Sequence, residues 1–394
     1  MKASFGRYST GTSSKGNNGY ALIQPIQRVA MQANRTWNDS FFGPGDPRTG
    51  NLKPDCVLGP SNLAANGECG PLSDRNFGGT SATSLNYGDD ALKGFNSAQP
   101  FYWQGSVSVD HEIRPGTSLT VNYNRTVYGN FTVTDNLAVT PADYDQFCIT
   151  APVDARLPGG GGNQICGLYD IKPGKFGQVN NLVSMAGPGR QPSTVFNGVD
   201  LLTRMRFAGG VQVQGGVSTG QSVTDSATPA PATCFVVDSP QTYQCHVSPT
   251  WASGTRLKFM VLYPLPWSFR ASTIYQNLPG ITRQATRSYS NAEIAPSLGR
   301  NLGSCGAAAT CNNSVSVNLI QPGTAFEPRI NQMDFRLSRI FPMGRYRVEA
   351  NLDVFNLLNT SSVIDANFTY GAKWLNPVQI LAARMAKVSV QIRF

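Results

Sequence analysis

The stretch that decides the fold is Arg384-Met385-Ala386-Lys387-Val388-Ser389-Val390-Gln391-Ile392-Arg393-Phe394. Ala386, Val388, Val390, Ile392 and Phe394 are apolar, and Lys387, Ser389, Gln391 and Arg393 between them are polar. Successive side chains of a strand point to opposite sides, so this is a β-strand with one apolar and one wet face. A soluble sheet edge can carry such a strand. A strand in a membrane barrel, with lipid outside and water inside, must carry one. The rest of the chain arbitrates.

Upstream, the same alternation returns in pairs of runs. Met333, Phe335 and Leu337 alternate with Gln332, Asp334, Arg336 and Ser338; after Pro342-Met343-Gly344, Tyr346, Val348, Ala350, Leu352 and Val354 alternate with Arg345, Arg347, Glu349, Asn351 and Asp353. Leu257, Phe259, Val261 and Tyr263 lead through Pro264-Leu265-Pro266 to Trp267, Phe269, Ala271 and Tyr275. Val199, Leu201, Met205 and Phe207 lead through Gly209-Gly210 to Val211, Val213 and Val217. Trp103, Gly105, Val107 and Val109 lead through Arg114-Pro115-Gly116 to Leu119, Val121 and Tyr123.

With a first run at Lys2–Tyr8, these make about ten strands. Their connections alternate strictly between a tight turn and a long stretch rich in Gly, Pro and Asn, which reads as irregular loop. The expected fold is therefore all-β: an antiparallel transmembrane β-barrel with short periplasmic turns and long extracellular loops. Tyr102, Trp103, Tyr263, Trp267, Phe341 and Tyr346 lie near strand ends, where interface girdles belong.

Composition agrees. Of 394 residues, 14% are charged and 40% hydrophobic, too apolar for disorder. No stretch approaches the roughly 20 apolar residues of a membrane helix. The net charge of +9 comes from residues that form no run or helical stripe, so a nucleic-acid partner is not expected. Arg204, Arg206, Arg256, Lys258, Arg270, Arg336, Arg345, Arg347, Lys387 and Arg393 fall on the polar side with Asp200, Asp334, Glu349 and Asp353. A wet lumen explains such a face. Its functional version is an electropositive interior that favours an anionic ligand or docks an internal plug by ion pairs.

The eight cysteines fall into near pairs, all within long loops: Cys56 with Cys69, Cys148 with Cys166, Cys234 with Cys245, and Cys305 with Cys311. No pair has C-x-x-C spacing, and His111 and His246 are the only histidines. Four local disulfides and an oxidising compartment follow; free thiols in a cytosolic protein are the alternative. Met1–Tyr8 has no apolar segment of an export signal and opens as strand. The expectation is that residues 1–394 are the C-terminal part of a longer exported protein.

Catalytic chemistry is weakly indicated. His111 lies on an apolar face beside Glu112, and no Ser/His/Asp set or metal-ligand spacing stands out, so no enzyme, metal or cofactor is expected. Asn38, Asp39, Asp46 and Asp55 are a loose candidate for calcium, against the simpler reading of solvated loop acids.

Three stretches add a family. Arg329-Ile330-Asn331-Gln332-Met333-Asp334-Phe335-Arg336-Leu337-Ser338, Asn351-Leu352-Asp353-Val354-Phe355-Asn356-Leu357-Leu358-Asn359, and Tyr370-Gly371-Ala372-Lys373-Trp374-Leu375-Asn376-Pro377 with Ile380-Leu381 and terminal Phe394 resemble the C-terminal strands of TonB-dependent outer-membrane receptors. They are most similar to the acidobacterial group with an N-terminal carboxypeptidase-regulatory-like domain. The resemblance implies a bacterial outer-membrane location, a barrel of about 22 strands and a plug moved through TonB. It implies energised uptake of a siderophore, glycan or peptide. Phe394, Ile392 and Val390 would then signal to the barrel-assembly machinery, and lipid and lipopolysaccharide would surround the wall. No plug, TonB-contacting segment or regulatory-like domain is found in the sequence. The rivals are a stand-alone small barrel, acting as passive pore or adhesin, and a secreted disulfide-laced β protein.

Overall fold

The computed structural model describes residues 1–9, 29–79, 85–92, 100–186, 192–225, 239–306 and 310–394. Ten strands form one antiparallel meander: β1 Lys2–Ser9, β2 Phe101–Arg114, β3 Thr117–Gly129, β4 Ser193–Arg206, β5 Gln212–Asp225, β6 Arg256–Pro264, β7 Phe269–Leu278, β8 Ile330–Met343, β9 Tyr346–Phe355 and β10 Met385–Arg393. Each strand pairs with its neighbours in this order, and β1 and β10 are the two ends of the sheet. The ten strands make one open antiparallel wall, with the strand order and alternation expected of a transmembrane barrel. Among the described residues no helix is long and apolar enough to cross a membrane, which leaves crossing by strands open.

The register keeps two faces separate across the whole sheet. Val354 lies opposite Phe335 on one side and Ala386 on the other; Leu352 lies opposite Leu337 and Val388; Val213 lies opposite Met205 and Val261. Directly opposed residues share a face, so most apolar positions of the ten strands fall on one continuous surface. The other surface carries Asn122, Asp200 and Ser218 in one row and Ser272, Arg336, Asp353 and Lys387 in another. That second face is not uniformly polar. Leu202, Met260 and Ile274 also lie on it, beside Gly216, Gln214 and Asp334 respectively.

Two details differ from the sequence reading. Trp267 is not the first residue of a strand. It and Ser268 have positive φ, 58° and 62°, and form the β6–β7 turn, with Trp267 82% exposed. A primed hairpin turn needs two such residues to match the twist of its strands. Tyr102, expected in an interface girdle, instead pairs with Tyr8 and Tyr128 on the inner face, ring centroids 5.2 and 5.6 Å away. The β2–β3 turn shows why a glycine stands there. Gly116 has φ 80°, and a Cβ on it would lie 2.9 Å from the carbonyl oxygen of Arg206.

The larger difference concerns the loops. They were expected to be irregular, yet they contain the buried core of the molecule. The loop between β3 and β4 folds the hairpin Tyr144–Thr150 with Gln164–Ile171, and Thr132–Asn136 pairs with Asn181–Met185. The loop between β7 and β8 carries the pair Thr286–Ser290 and Ser314–Asn318, and helix α1, Asn291–Leu298. Val363–Ala366 pairs with Pro377–Ile380 in the loop between β9 and β10. The wall has no interior of its own; its apolar face is exposed, from Leu352 at 40% on β9 to Val388 at 76% on β10.

Candidate functional site

All long loops emerge from the same end of the meander, and they interlock into a cap. Its core is built from the hairpin residues Phe147, Ile149, Ile165 and Leu168, against Ile294 and Leu298 of α1 and Tyr289, Leu302 and Val317. Helix α1 starts on a capping box. The Glu293 carboxylate accepts from the Ser290 amide at 2.9 Å and its hydroxyl at 2.8 Å, which with the Arg287 guanidinium holds that carboxyl below its usual range. Gly299, at φ 77°, ends the helix.

Arg300 ties the β3–β4 and β7–β8 loops together. Its guanidinium donates to Asp145 Oδ2 at 2.7 Å, Asp170 Oδ2 at 2.6 Å and the Asp170 carbonyl at 3.0 Å. A second cluster brings in the last loop: Trp374, 1% exposed, packs with Leu157, Ala285 and Ile320, and its indole donates to the Gln284 carbonyl at 2.8 Å. Arg156 donates to the Trp374 carbonyl at 3.2 Å and to Asp154 at 2.6 Å. The loop between β5 and β6 joins through Gln244, which donates to the carbonyls of Asn318 and Ile320.

The first loop is stapled by Arg35. Its guanidinium donates to the carbonyls of Leu58, Gly59, Asn62, Ala64 and Gly70. A cavity of about 270 Å³ opens where this loop meets the β7–β8 loop, lined by Trp37, Phe41, Glu68, Cys305 and Asn313 among others. Glu68 is 2% exposed; its Oε2 accepts from the Trp37 indole at 3.0 Å and the Asp55 amide at 2.9 Å.

The residues singled out in the sequence fall as follows. Cys56–Cys69, Cys148–Cys166 and Cys305–Cys311 are disulfides, all in the cap; Cys234 lies outside the described residues, so its pairing with Cys245 does too. Val390 and Ile392 lie on the outer face of β10, Val390 opposite Ala350 and Ile392 opposite Val348, and Phe394 follows the last strand residue, fully exposed. His111 faces outward opposite Leu119, and His246 contacts Asp225 at 2.5 Å. The acids considered for calcium do not converge: Asp46 pairs with Arg48 at 2.7 Å, Asp55 accepts from Asn51 and Asp39 from the Leu52 amide. Among the described residues no group of three His, Cys, Asp or Glu is gathered as a metal would need.

On the inner face, Arg336 pairs with Asp353, Arg393 with Glu349 at 3.6 Å and Lys2 with Asp110 at 3.5 Å. Arg345 lies in the β8–β9 turn, its guanidinium 5.0 Å from the Tyr346 ring. Among the described residues, Arg204, Arg206, Arg256, Lys258, Arg270 and Arg347 make no ion pair. The wall therefore presents excess positive charge.

Sequence reading missed the cap. Two signals were available: the alternation of Phe147 and Ile149 in Tyr144–Thr150, and the box Ser290-x-x-Glu293 ahead of Ile294 and Leu298.

No protein-family model matches the chain, and no curated protein is similar to it at a significant level. Among solved structures, the outer membrane transporter YddB from Escherichia coli is similar at 11% identity and a TM-score of 0.37, over 74% of this chain. The chain spans about a third, 32%, of that transporter's chain.

Proposed function

We propose that the chain is wall and ligand-facing cap of a bacterial outer-membrane receptor that takes up a siderophore complex, glycan or peptide with energy supplied through TonB. The cap carries this reading. A passive pore needs an open mouth. Here the loops on one end bury a hydrophobic core of their own and are braced by disulfides. Rigid loops on a barrel are how a recognition surface is held in place.

The resemblance of the C-terminal strands to TonB-dependent receptors adds the energised step. Further strands and a plug are part of this proposal, on a physical ground. The sheet ends at β1 and β10. A strand edge cannot face hydrocarbon, because its amides and carbonyls would go unpaired. The unpaired inner-face cations, Arg204, Arg206, Arg256 and Lys258, fit acids of a plug seated inside. Binding and transport, rather than catalysis, is the inferred role. Lipid and lipopolysaccharide surround the wall, and the barrel-assembly machinery reads Phe394, Ile392 and Val390. No nucleic acid takes part.

The test is uptake by cells that make the full protein, using labelled ferric siderophores, oligosaccharides and oligopeptides, with TonB present and deleted. Accumulation that needs TonB is expected. Equal accumulation in both strains overturns it for a passive pore. Surface binding with no accumulation in either strain overturns it for an adhesin.

A further inference from the structure

Glu68 is a buried carboxylate with no cation in contact with it among the described residues; the Arg48 charge acts on it only through space. It is 2% exposed and forms part of the wall of the 270 Å³ cavity between the first loop and the β7–β8 loop. Its Oε2 is held by the Trp37 indole and the Asp55 amide; its Oε1 is buried and has no hydrogen-bond partner. Carboxylates are almost never fully buried unless paired, because removing the charge from water costs several kcal/mol. Two cations of the same loop are engaged elsewhere. Arg35 is spent on carbonyls, and Arg48 on Asp46 and the Phe42 ring. Among the described residues Glu68 has no ion-pair partner.

The rest of the cavity suits a cation on an apolar stem. Trp37 is 46% exposed and Phe41 50% exposed, so both aromatic side chains stand in the open next to the carboxylate. Aromatic faces attract ammonium and guanidinium groups. Asn38, Asn312 and Asn313 add neutral hydrogen-bonding groups, and no Lys or Arg lines the cavity. Disulfides Cys56–Cys69 and Cys305–Cys311 place Cys69, Cys305 and Cys311 in its walls, so both loops that form it are braced.

We propose that this cavity is a subsite for a cationic side chain, an alkylammonium or guanidinium, with Glu68 as its counter-charge and Trp37 and Phe41 as its aromatic flanks. Among the ligand classes considered, this points to a peptide carrying Lys or Arg. The proposal rests on the ligand-binding role of the cap and not on the energised step.

The experiment uses the folded full-length protein in detergent with its disulfides intact. It is titrated calorimetrically with N-acetyl-lysine methylamide, N-acetyl-arginine methylamide and the neutral N-acetyl-norleucine methylamide. Saturable binding of a cationic probe, with the norleucine probe at least about tenfold weaker, is expected for loss of a charge-assisted contact. Glu68→Gln should weaken the cationic probe by about tenfold on the same grounds. Phe41→Ala, which leaves the Glu68 hydrogen bonds alone, should weaken it about twofold to fivefold. Equal binding of the norleucine probe, unchanged binding in Glu68→Gln, or no saturation by either cation overturns the site. If Glu68→Gln does not fold, the comparison of lysine and norleucine probes on the unaltered protein decides. Binding is measured here without TonB, so its failure is distinct from a failure of TonB-dependent uptake.

Discussion

The Arg336 guanidinium grips the Asp353 carboxylate across β8 and β9, Nε to Oδ1 at 2.5 Å and Nη2 to Oδ2 at 3.1 Å. The two residues are directly opposed in the register, with Lys387 of β10 next to Asp353. Three adjacent strands thus carry a plus-minus-plus row on the inner face. The Asp353 side chain is 6% exposed and that of Arg336 is 50% exposed, so removing the arginine strands a mostly buried carboxylate. Arg336→Ala should lower unfolding stability by roughly 1–3 kcal/mol, the cost of an orphaned charged acceptor. Arg336→Ala combined with Asp353→Ala should cost less than the sum of the single changes. Urea unfolding of the folded protein in detergent, run as a double-mutant cycle, measures the coupling.

Arg300 does for the cap what Arg336 does for the wall. It bridges Asp145 and Asp170 of one loop from another. Arg300→Ala should loosen the β3–β4 loop from α1 and leave the strands alone. Limited proteolysis should then cut within residues 130–192, while the heat-modifiable gel mobility of the barrel is unchanged. Loss of that mobility shift would place Arg300 in the wall's stability instead.

Trp374 is the largest fully buried side chain, and its indole N–H is satisfied by the Gln284 carbonyl. Trp374→Ala should destabilise the cap by about 3–5 kcal/mol, the usual cost of emptying an aromatic site. Near-ultraviolet circular dichroism would lose cap signal, with the strand signal in the far ultraviolet kept.

Acid should act on the cap first. Hydrogen bonds and ion pairs depress the carboxyls of Asp143, Asp154 and Glu293, and Arg48 holds that of Asp46 down to about 2. A depressed carboxyl contributes stability that is present above its ordinary value, near pH 4, and is lost as pH falls through the depressed one. Asp170 runs the other way: burial raises its carboxyl, so protonation favours the folded form there. With more depressed groups than raised ones, protease resistance of the loops should fall between about pH 4 and 2. The strand signal should persist over the same range.

The disulfide Cys148–Cys166 closes a separation of 18 residues, which constrains the unfolded chain by about 3 kcal/mol. Reduction should make the cap protease-sensitive at neutral pH and leave heat-modifiable mobility in place. An unchanged digestion pattern would mean the hydrophobic core alone suffices.

The wall was legible because its rule is local. A strand alternates with period two, and both faces of each β-strand are written in consecutive residues, as in Ala386 to Phe394. The tight turns at Pro115-Gly116 and Gly209-Gly210 were equally local. The charges on the inner face could be assigned from the same alternation. Trp267 escaped because a hairpin turn with two positive-φ residues needs no glycine when the strands impose it.

The cap was decided only in three dimensions. Ile294 meets Phe147, and Trp374 meets Leu157, across stretches of chain that hold whole strands between them. No window of sequence records such a meeting, because short apolar runs in Gly- and Pro-rich loops have no period long enough to announce a core. Glu68 shows the same divide. The sequence places an acid beside Cys69; only the folded loop buries it with one carboxylate oxygen unpartnered. Periodicity is a property of neighbours along the chain, and so it fixed the wall. Burial is a property of neighbours in space, and so the cap of this protein waited for the fold.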